Sequence, residues 1–256
     1  MCATCGCSDG PGVRVIDPAH GHGPGDGHGH GHAHPHPTTT VAIEVDLLAK
    51  NDDLAARNRQ WLAARGVTAL NLMSSPGAGK TTLLERTIRD LGADLPCAVL
   101  EGDQETLLDA ERIRAAGARA IQINTGAGCH LDADMVAAGL RALAPEQGSL
   151  LFVENVGNLV CPALFDLGEA ARVVIMSVTE GADKPLKYPH MFRTADLVVL
   201  TKTDLLPYVP FDVGFFVECA RRARAGVEVL QLSATAEEGL GAWYDWLRAE
   251  MNHSAL

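Results

Sequence analysis

A chain of 256 residues is long enough for one α/β domain of roughly 200 residues with added segments, and a second domain is not required. Its 32 acidic residues against 21 basic ones, a formal charge of -11, argue against a nucleic-acid partner, because such proteins carry clustered positive charge. No apolar run approaches the ~20 residues of a membrane span, and Cys, Gly and His stand where a signal peptide would be basic and then apolar, so the expected setting is cytoplasmic with no membrane partner, and the seven cysteines are expected as thiols or metal ligands rather than disulfides.

Residues 1–40 form a compositionally distinct arm. Cys2-Ala3-Thr4-Cys5-Gly6-Cys7 sets three thiols within six residues, on a chain flexible enough to wrap one ion. Soft thiolates favour Ni²⁺, Zn²⁺ or Cu⁺, and with an amine or amide nitrogen as fourth donor the loop suits square-planar Ni²⁺. Then come His20, His22, His28, His30, His32, His34 and His36, seven of the ten histidines within seventeen residues. Interleaved with Gly and Pro they have no fixed geometry and read as a multi-ion reservoir of modest affinity. With almost nothing able to build a core, the arm is expected to be disordered without metal. Residues 41–256 are expected to form a single nucleotide-binding domain. It opens on a helix over 46–65, where Leu47, Leu48, Leu54, Trp61 and Leu62 recur at mostly helical spacing before Gly66.

Seven strand-like runs follow, at 67–73, 97–100, 119–123, 150–153, 173–178, 197–200 and 227–232. Most are continuously apolar rather than alternating, as for strands buried on both faces. Amphipathic, helix-length segments at 104–116, 132–143 and 212–224 lie between them, and the alternation predicts a doubly wound, mainly parallel α/β sheet with ligands at the carboxyl ends of its strands.

Between the first strand and a helix-like run over 82–91 lies Ser74-Ser75-Pro76-Gly77-Ala78-Gly79-Lys80-Thr81, a phosphate-binding loop in the strand–loop–helix setting the motif requires. The backbone N–H groups of Gly77, Ala78 and Gly79 are expected to face the phosphates, Lys80 to neutralise them, and Thr81, followed by Thr82, to bring a hydroxyl to Mg²⁺. Ser74 replaces the usual first glycine. Asp103 and Glu154, each ending a strand, are the further carboxylates expected near Mg²⁺, and Lys80, Asp103 and Glu154 are the expected catalytic set. Glu154-Asn155-Val156-Gly157 reads as an acidic-x-x-Gly loop whose Gly157 N–H would meet a γ-phosphate. No Gln or Arg stands out as a water-positioner, so hydrolysis is expected to be slow.

Thr201-Lys202-Thr203-Asp204 follows the sixth run. An Asp carboxylate there accepts from both N1–H and the exocyclic amine of guanine, which adenine cannot offer, so GTP and GDP are the expected ligands. Lys202 would lie along the base and Ser233-Ala234 would offer backbone N–H groups to the guanine O6. Thr201 replaces the more usual Asn. Cys129-His130, after the third run, and Cys161, four residues beyond Gly157, should open on the same side of the sheet and form a metal set coupled to the nucleotide. Cys97 and Cys219 read as small core residues.

With these residues assembled, the chain resembles the hydrogenase nickel-incorporation GTPases, the HypB family of SIMIBI-class maturation factors. The resemblance is carried by Cys2, Cys5 and Cys7, the His-rich tract, 74–82, 101–103, Cys129-His130, 154–162 and Thr179-Glu180-Gly181-Ala182-Asp183-Lys184-Pro185. It implies a GTPase that dimerises across its nucleotides, works with a small zinc-containing partner, and delivers nickel to the [NiFe] hydrogenase large subunit. It also implies that Cys129, His130 and Cys161 bind Ni²⁺ or Zn²⁺ near the dimer interface. The urease accessory GTPase is similar but carries Cys-Pro-His where this chain has Cys161-Pro162-Ala163. A small-molecule kinase and a nickel storage protein are the competing classes.

Overall fold

The computed structural model describes residues 37–103, 108–126 and 128–254, so the cysteine motif and the histidine tract lie outside the described residues. Along the chain run α1 (Pro37–Ala63), β1 (Thr68–Ser74), α2 (Lys80–Leu91), β2 (Cys97–Asp103), α3 (Leu108–Ala116), β3 (Arg119–Asn124), α4 (Ala133–Leu143), β4 (Leu150–Glu154) and β5 (Ala171–Ser177). The short α5 (Lys184–Lys187) and α6 (Pro189–Arg193) follow, then β6 (Leu197–Thr201), α7 (Val213–Ala223), β7 (Glu228–Gln231) and α8 (Leu240–Ser254).

The strands form one sheet in the order β3-β2-β4-β1-β5-β6-β7, and every neighbouring pair is parallel. The continuously apolar runs follow from this placement. On β1, Leu70 and Leu72 pack into one core with Leu84 of α2 and Trp243 of α8, while Ala69 faces a second core with Leu62 of α1 and Leu140 of α4. Met73 joins a third core under α7. A strand covered on both faces has no solvent side on which to place polar residues. The two edge strands, β3 and β7, are the ones with exposed positions.

Each expected strand corresponds to one observed, and Asp132 and Asp212 serve as N-caps, accepting from the backbone N–H of Met135 (2.8 Å) and Phe215 (2.9 Å). The helices differ in detail from the expected ones. The first helix begins at Pro37, ahead of the expected start at 46. The third helix is described over Leu108–Ala116, and the part of the expected run at 104–107 lies outside the described residues. The closing helix α8 has no counterpart among the expected elements, although Leu240, Trp243 and Leu247 recur at helical spacing and are buried, and Trp243 Nε1 donates to Thr87 Oγ1 at 2.9 Å. Among the described residues no helix is long and apolar enough to cross a membrane.

Candidate functional site

Strand order reverses at β1, whose neighbours are β4 and β5, and a crevice opens there at the carboxyl ends of the strands. The loop 74–80 leaves β1 at this point. Gly77 and Gly79 hold φ of 74° and 95°, which a side chain at Cβ would strain, and Gly79 turns the chain directly into α2. Lys80 and Thr81 therefore open the helix, and the expected helical run from Thr82 gains two residues at its start.

Each loop side chain is held. Lys80 is buried and donates from Nζ to Ser74 Oγ at 2.7 Å, so the residue replacing the usual glycine positions the lysine. Thr81 Oγ1 donates to Glu154 Oε1 at 2.8 Å across the crevice. Thr201, standing for the more usual Asn, donates to the carbonyls of Ala78 (2.7 Å) and Met176 (3.0 Å), tying β6 to the loop. Lys202 Nζ reaches the Gly77 carbonyl at 2.8 Å. Glu180, in the Thr179–Pro185 motif, accepts from the Ser75 hydroxyl and from the Ser177 N–H at 3.0 Å.

The crevice has a volume of about 550 Å³ and runs from Pro76, Lys80 and Thr81 past Asp103 and Glu154 to Gly157 and Cys129. Gly157 abuts the phosphate loop, since a Cβ there would lie 2.9 Å from Pro76 Cα. Burial dominates the electrostatics. It lowers the Lys80 ammonium from its ordinary range despite the attraction of Glu154, and raises the Glu154 carboxyl despite Lys80 and Thr81. Glu101 is pushed up to about 8, by burial first and then by Glu154, Asp109 and Asp103.

Cys129, His130 and Cys161 are brought together, with donor atoms all within 4.8 Å of one another. The two sulfurs are 3.1 Å apart, and the Cys129 sulfur is 3.8 Å from His130 Nδ1. Donors around one ion at ~2.0–2.3 Å can be up to twice that distance apart, so the cluster has the dimensions and the soft-donor chemistry of a Ni²⁺ or Zn²⁺ site. His130 stacks on Phe165 with ring centroids 4.0 Å apart, and burial depresses its basicity, favouring the neutral imidazole a metal requires.

The base-reading set is partly revised. Lys202 lines the crevice, while Asp204, Ser233 and Ala234 do not. Asp204 Oδ1 is buried with no partner among the described residues, an acceptor suited to a ligand donor. The Ser233 N–H, expected to face the base, donates instead to the Glu238 carbonyl at 2.9 Å. Cys219 is buried in α7 as expected, whereas Cys97 is half-buried at the start of β2, its thiol on the Leu95 carbonyl at 3.3 Å and pushed up to about 11 by burial.

Several site residues escaped sequence reasoning. Asn155 Oδ1 accepts from the Leu131 N–H at 3.1 Å, and Asn158 Nδ2 donates to the Cys129 carbonyl at 3.2 Å, so the loop carrying Gly157 grips the 129–131 loop twice. Asp109 and Arg112 of α3 line the crevice, with Arg112 donating to Thr82 Oγ1 (3.3 Å), Glu85 (2.6 Å) and Asp109 (3.0 Å). Their only sequence signal was polar residues beside the strand ends. Glu101 carried a stronger one, a carboxylate inside an apolar strand.

The profile of the CobW/HypB/UreG nucleotide-binding domain matches residues 68–231. The hydrogenase maturation factor HypB of Rhizobium leguminosarum bv. viciae is 58% identical over 214 residues, covering 84% of this chain and 72% of its own. Its namesake in Escherichia coli K12 is 56% identical over 208 residues, covering 81% and 72%. Among solved structures, HypB from Helicobacter pylori in complex with nickel superposes with a TM-score of 0.77 at 38% identity, over 80% of this chain and 97% of that one. HypB from Archaeoglobus fulgidus does so with a TM-score of 0.75 at 41% identity, over 80% and 100%.

Proposed function

The chain belongs to the CobW/HypB/UreG nucleotide-binding family and, within it, to the HypB hydrogenase maturation factors, and from that premise we propose that it is a GTP-hydrolysing nickel chaperone acting in [NiFe] hydrogenase maturation. The observation carrying this reading is the single crevice that joins Lys80 and Thr81 to Cys129 through the Gly157 loop. A storage protein has no use for such a link, and a metabolite kinase has no use for the thiols.

In the proposed reaction the N–H groups of Gly77, Ala78 and Gly79 cradle the phosphates. Lys80 leaves Ser74 to neutralise them as charge shifts toward the leaving oxygen. Thr81, Glu154 and Asp103 would hold Mg²⁺, for which the buried Oε2 of Glu154, without a partner among the described residues, is a fitting acceptor. Mg²⁺ supplies charge neutralisation between the phosphates. The Gly157 N–H senses the γ-phosphate, and Asp204 with the Ala234 N–H reads guanine. Cys129, His130 and Cys161 bind Ni²⁺ or Zn²⁺, and residues 1–40, through Cys2, Cys5, Cys7 and the histidines, keep further ions nearby. The proposed partners are a second copy of the chain in the GTP state, a small zinc-containing maturation protein and the hydrogenase large subunit. The H. pylori relative in complex with nickel supports the metal assignment.

The test is nucleotide selectivity. The wild-type protein should bind and hydrolyse GTP and not ATP, and Asp204→Asn should weaken GTP binding by the ~1–3 kcal/mol of a lost buried polar partner. Equal binding of ATP and GTP in calorimetric titrations would overturn the assignment.

A further inference from the structure

We propose that Glu101 is a second carboxylate of the cation site, holding a water of the divalent ion that Thr81 and Glu154 bring to the phosphates. The inference rests on the nucleotide-binding reading of the crevice.

Glu101 is an anomaly for its strand. Its neighbour Leu100 is fully buried, and Glu101 itself is only 2% exposed. A carboxylate there is costly to the fold unless something compensates it. Within the described residues the compensation is incomplete, because Oε2 of Glu101 is buried with no hydrogen-bond partner among them. Glu154 is its register neighbour on β4 and its Oε2 is in the same condition. Parallel neighbours lie ~4.8 Å apart with side chains on the same face, so the two carboxyl groups, each with an oxygen unpartnered among the described residues, share one face of the sheet. Both residues line the crevice beside Thr81.

Backbone alternation fixes the direction. On β2, Glu101 and Asp103 share one face and Gly102 the other, where an added Cβ would lie 2.7 Å from Leu131 Cγ. The close seat on Leu131 holds the strand end, and Glu101 lies one step deeper than Asp103 on the face with Lys80. Among the described residues that line the crevice, Lys80 is the only buried cation, and its hydrogen bond goes to Ser74. Two dehydrated carboxyl groups next to a Thr81 hydroxyl match the hard-oxygen preference of Mg²⁺, which keeps several of its waters and so needs acceptors just beyond its direct ligands. Asp103, half-buried at the strand end, supplies the outer acceptor and Glu101 the inner one.

A counter-ion role toward Lys80 is the rival reading, and the cation separates the two. Affinity of the full chain for fluorescently labelled GDP is measured in Mg²⁺ and in EDTA for wild type, Glu101→Gln and Glu101→Asp. Glu101→Gln should leave the EDTA affinity within about twofold, while the gain conferred by Mg²⁺ falls about 10- to 100-fold, as for other outer-sphere partners of metals. Glu101→Asp, which keeps the charge on a shorter stem, should retain an intermediate gain even if the glutamine variant folds poorly. A Mg²⁺ gain equal to wild type in both variants, or equal losses in EDTA and Mg²⁺, would overturn the inference and leave the nucleotide site standing. Absence of GDP binding by the wild type would overturn the nucleotide reading itself.

Discussion

Ser74 shows how one side chain can substitute for a motif residue and change its mechanics. Its hydroxyl donates to the Ser75 carbonyl at 2.6 Å and accepts from Lys80 at 2.7 Å, so the buried ammonium has a partner before any phosphate arrives. Burial lowers the Lys80 basicity, and the hydroxyl offsets part of that dehydration. Ser74→Ala should therefore destabilise the ligand-free protein by ~1–3 kcal/mol, the range for a stranded buried polar group. Phosphate replaces the hydroxyl in the complex, so the variant should recover most of that loss with GDP. Thermal melts with and without GDP check this: the GDP-induced rise in Tm should be larger in Ser74→Ala than in wild type, and an equal rise would show that Lys80 does not depend on Ser74. In the linear motif Ser74 is legible only as a departure from the usual glycine, because a hydroxyl's partner depends on where Lys80 points. Glu101 is hidden for a similar reason: its neighbour Glu154 is 53 positions away in sequence and adjacent only once β2 pairs with β4.

The seven strands were readable in the sequence because burial on both faces leaves an uninterrupted apolar run, too short for a helix of the usual length and bounded by turn residues. Helix starts were less readable. Gly79 turns into α2 at Lys80 because its φ of 95° is set by the loop, which no periodicity reports. A coupling of the metal set to the phosphate loop through the Gly157 segment is already expected from the sequence, but the side chains that join the two are tertiary. Asn155 and Asn158 make that joint, with amides on Leu131 N–H and on the Cys129 carbonyl. A shift of Gly157 against Pro76 must move Asn158 and with it the Cys129 backbone. Asn158→Ala should leave GTP affinity near wild type and reduce the difference in nickel affinity between GDP and GTP-analogue states, a coupling typically of ~1–3 kcal/mol. Nickel titrations in the two nucleotide states measure it, and an undiminished difference in the variant would remove Asn158 from the link.

At the scale of the whole molecule, Cys129, His130 and Cys161 supply three donors, one short of a four-coordinate structural site. Among the described residues no fourth donor joins the three, and water or a second subunit would supply it. In the second case metal and GTP are linked twice, through the Gly157 loop within one chain and through the dimer between chains. Linkage then requires that if GTP raises nickel affinity by some factor, nickel raises GTP affinity by the same factor. A chain beginning at Pro37, the start of α1, isolates this site from the cysteines and histidines of the arm. It should hydrolyse GTP, bind far fewer nickel ions than the full chain, and dimerise in the presence of nickel and a GTP analogue. Native mass and nickel titration in the GDP and GTP-analogue states test these together. Cys161→Ala should abolish the difference between the two states, because Cys161 is the donor on the Gly157 side of the site. Identical nickel affinities in the two states of the unmodified domain would leave the switch with no thermodynamic basis, whatever the oligomeric state.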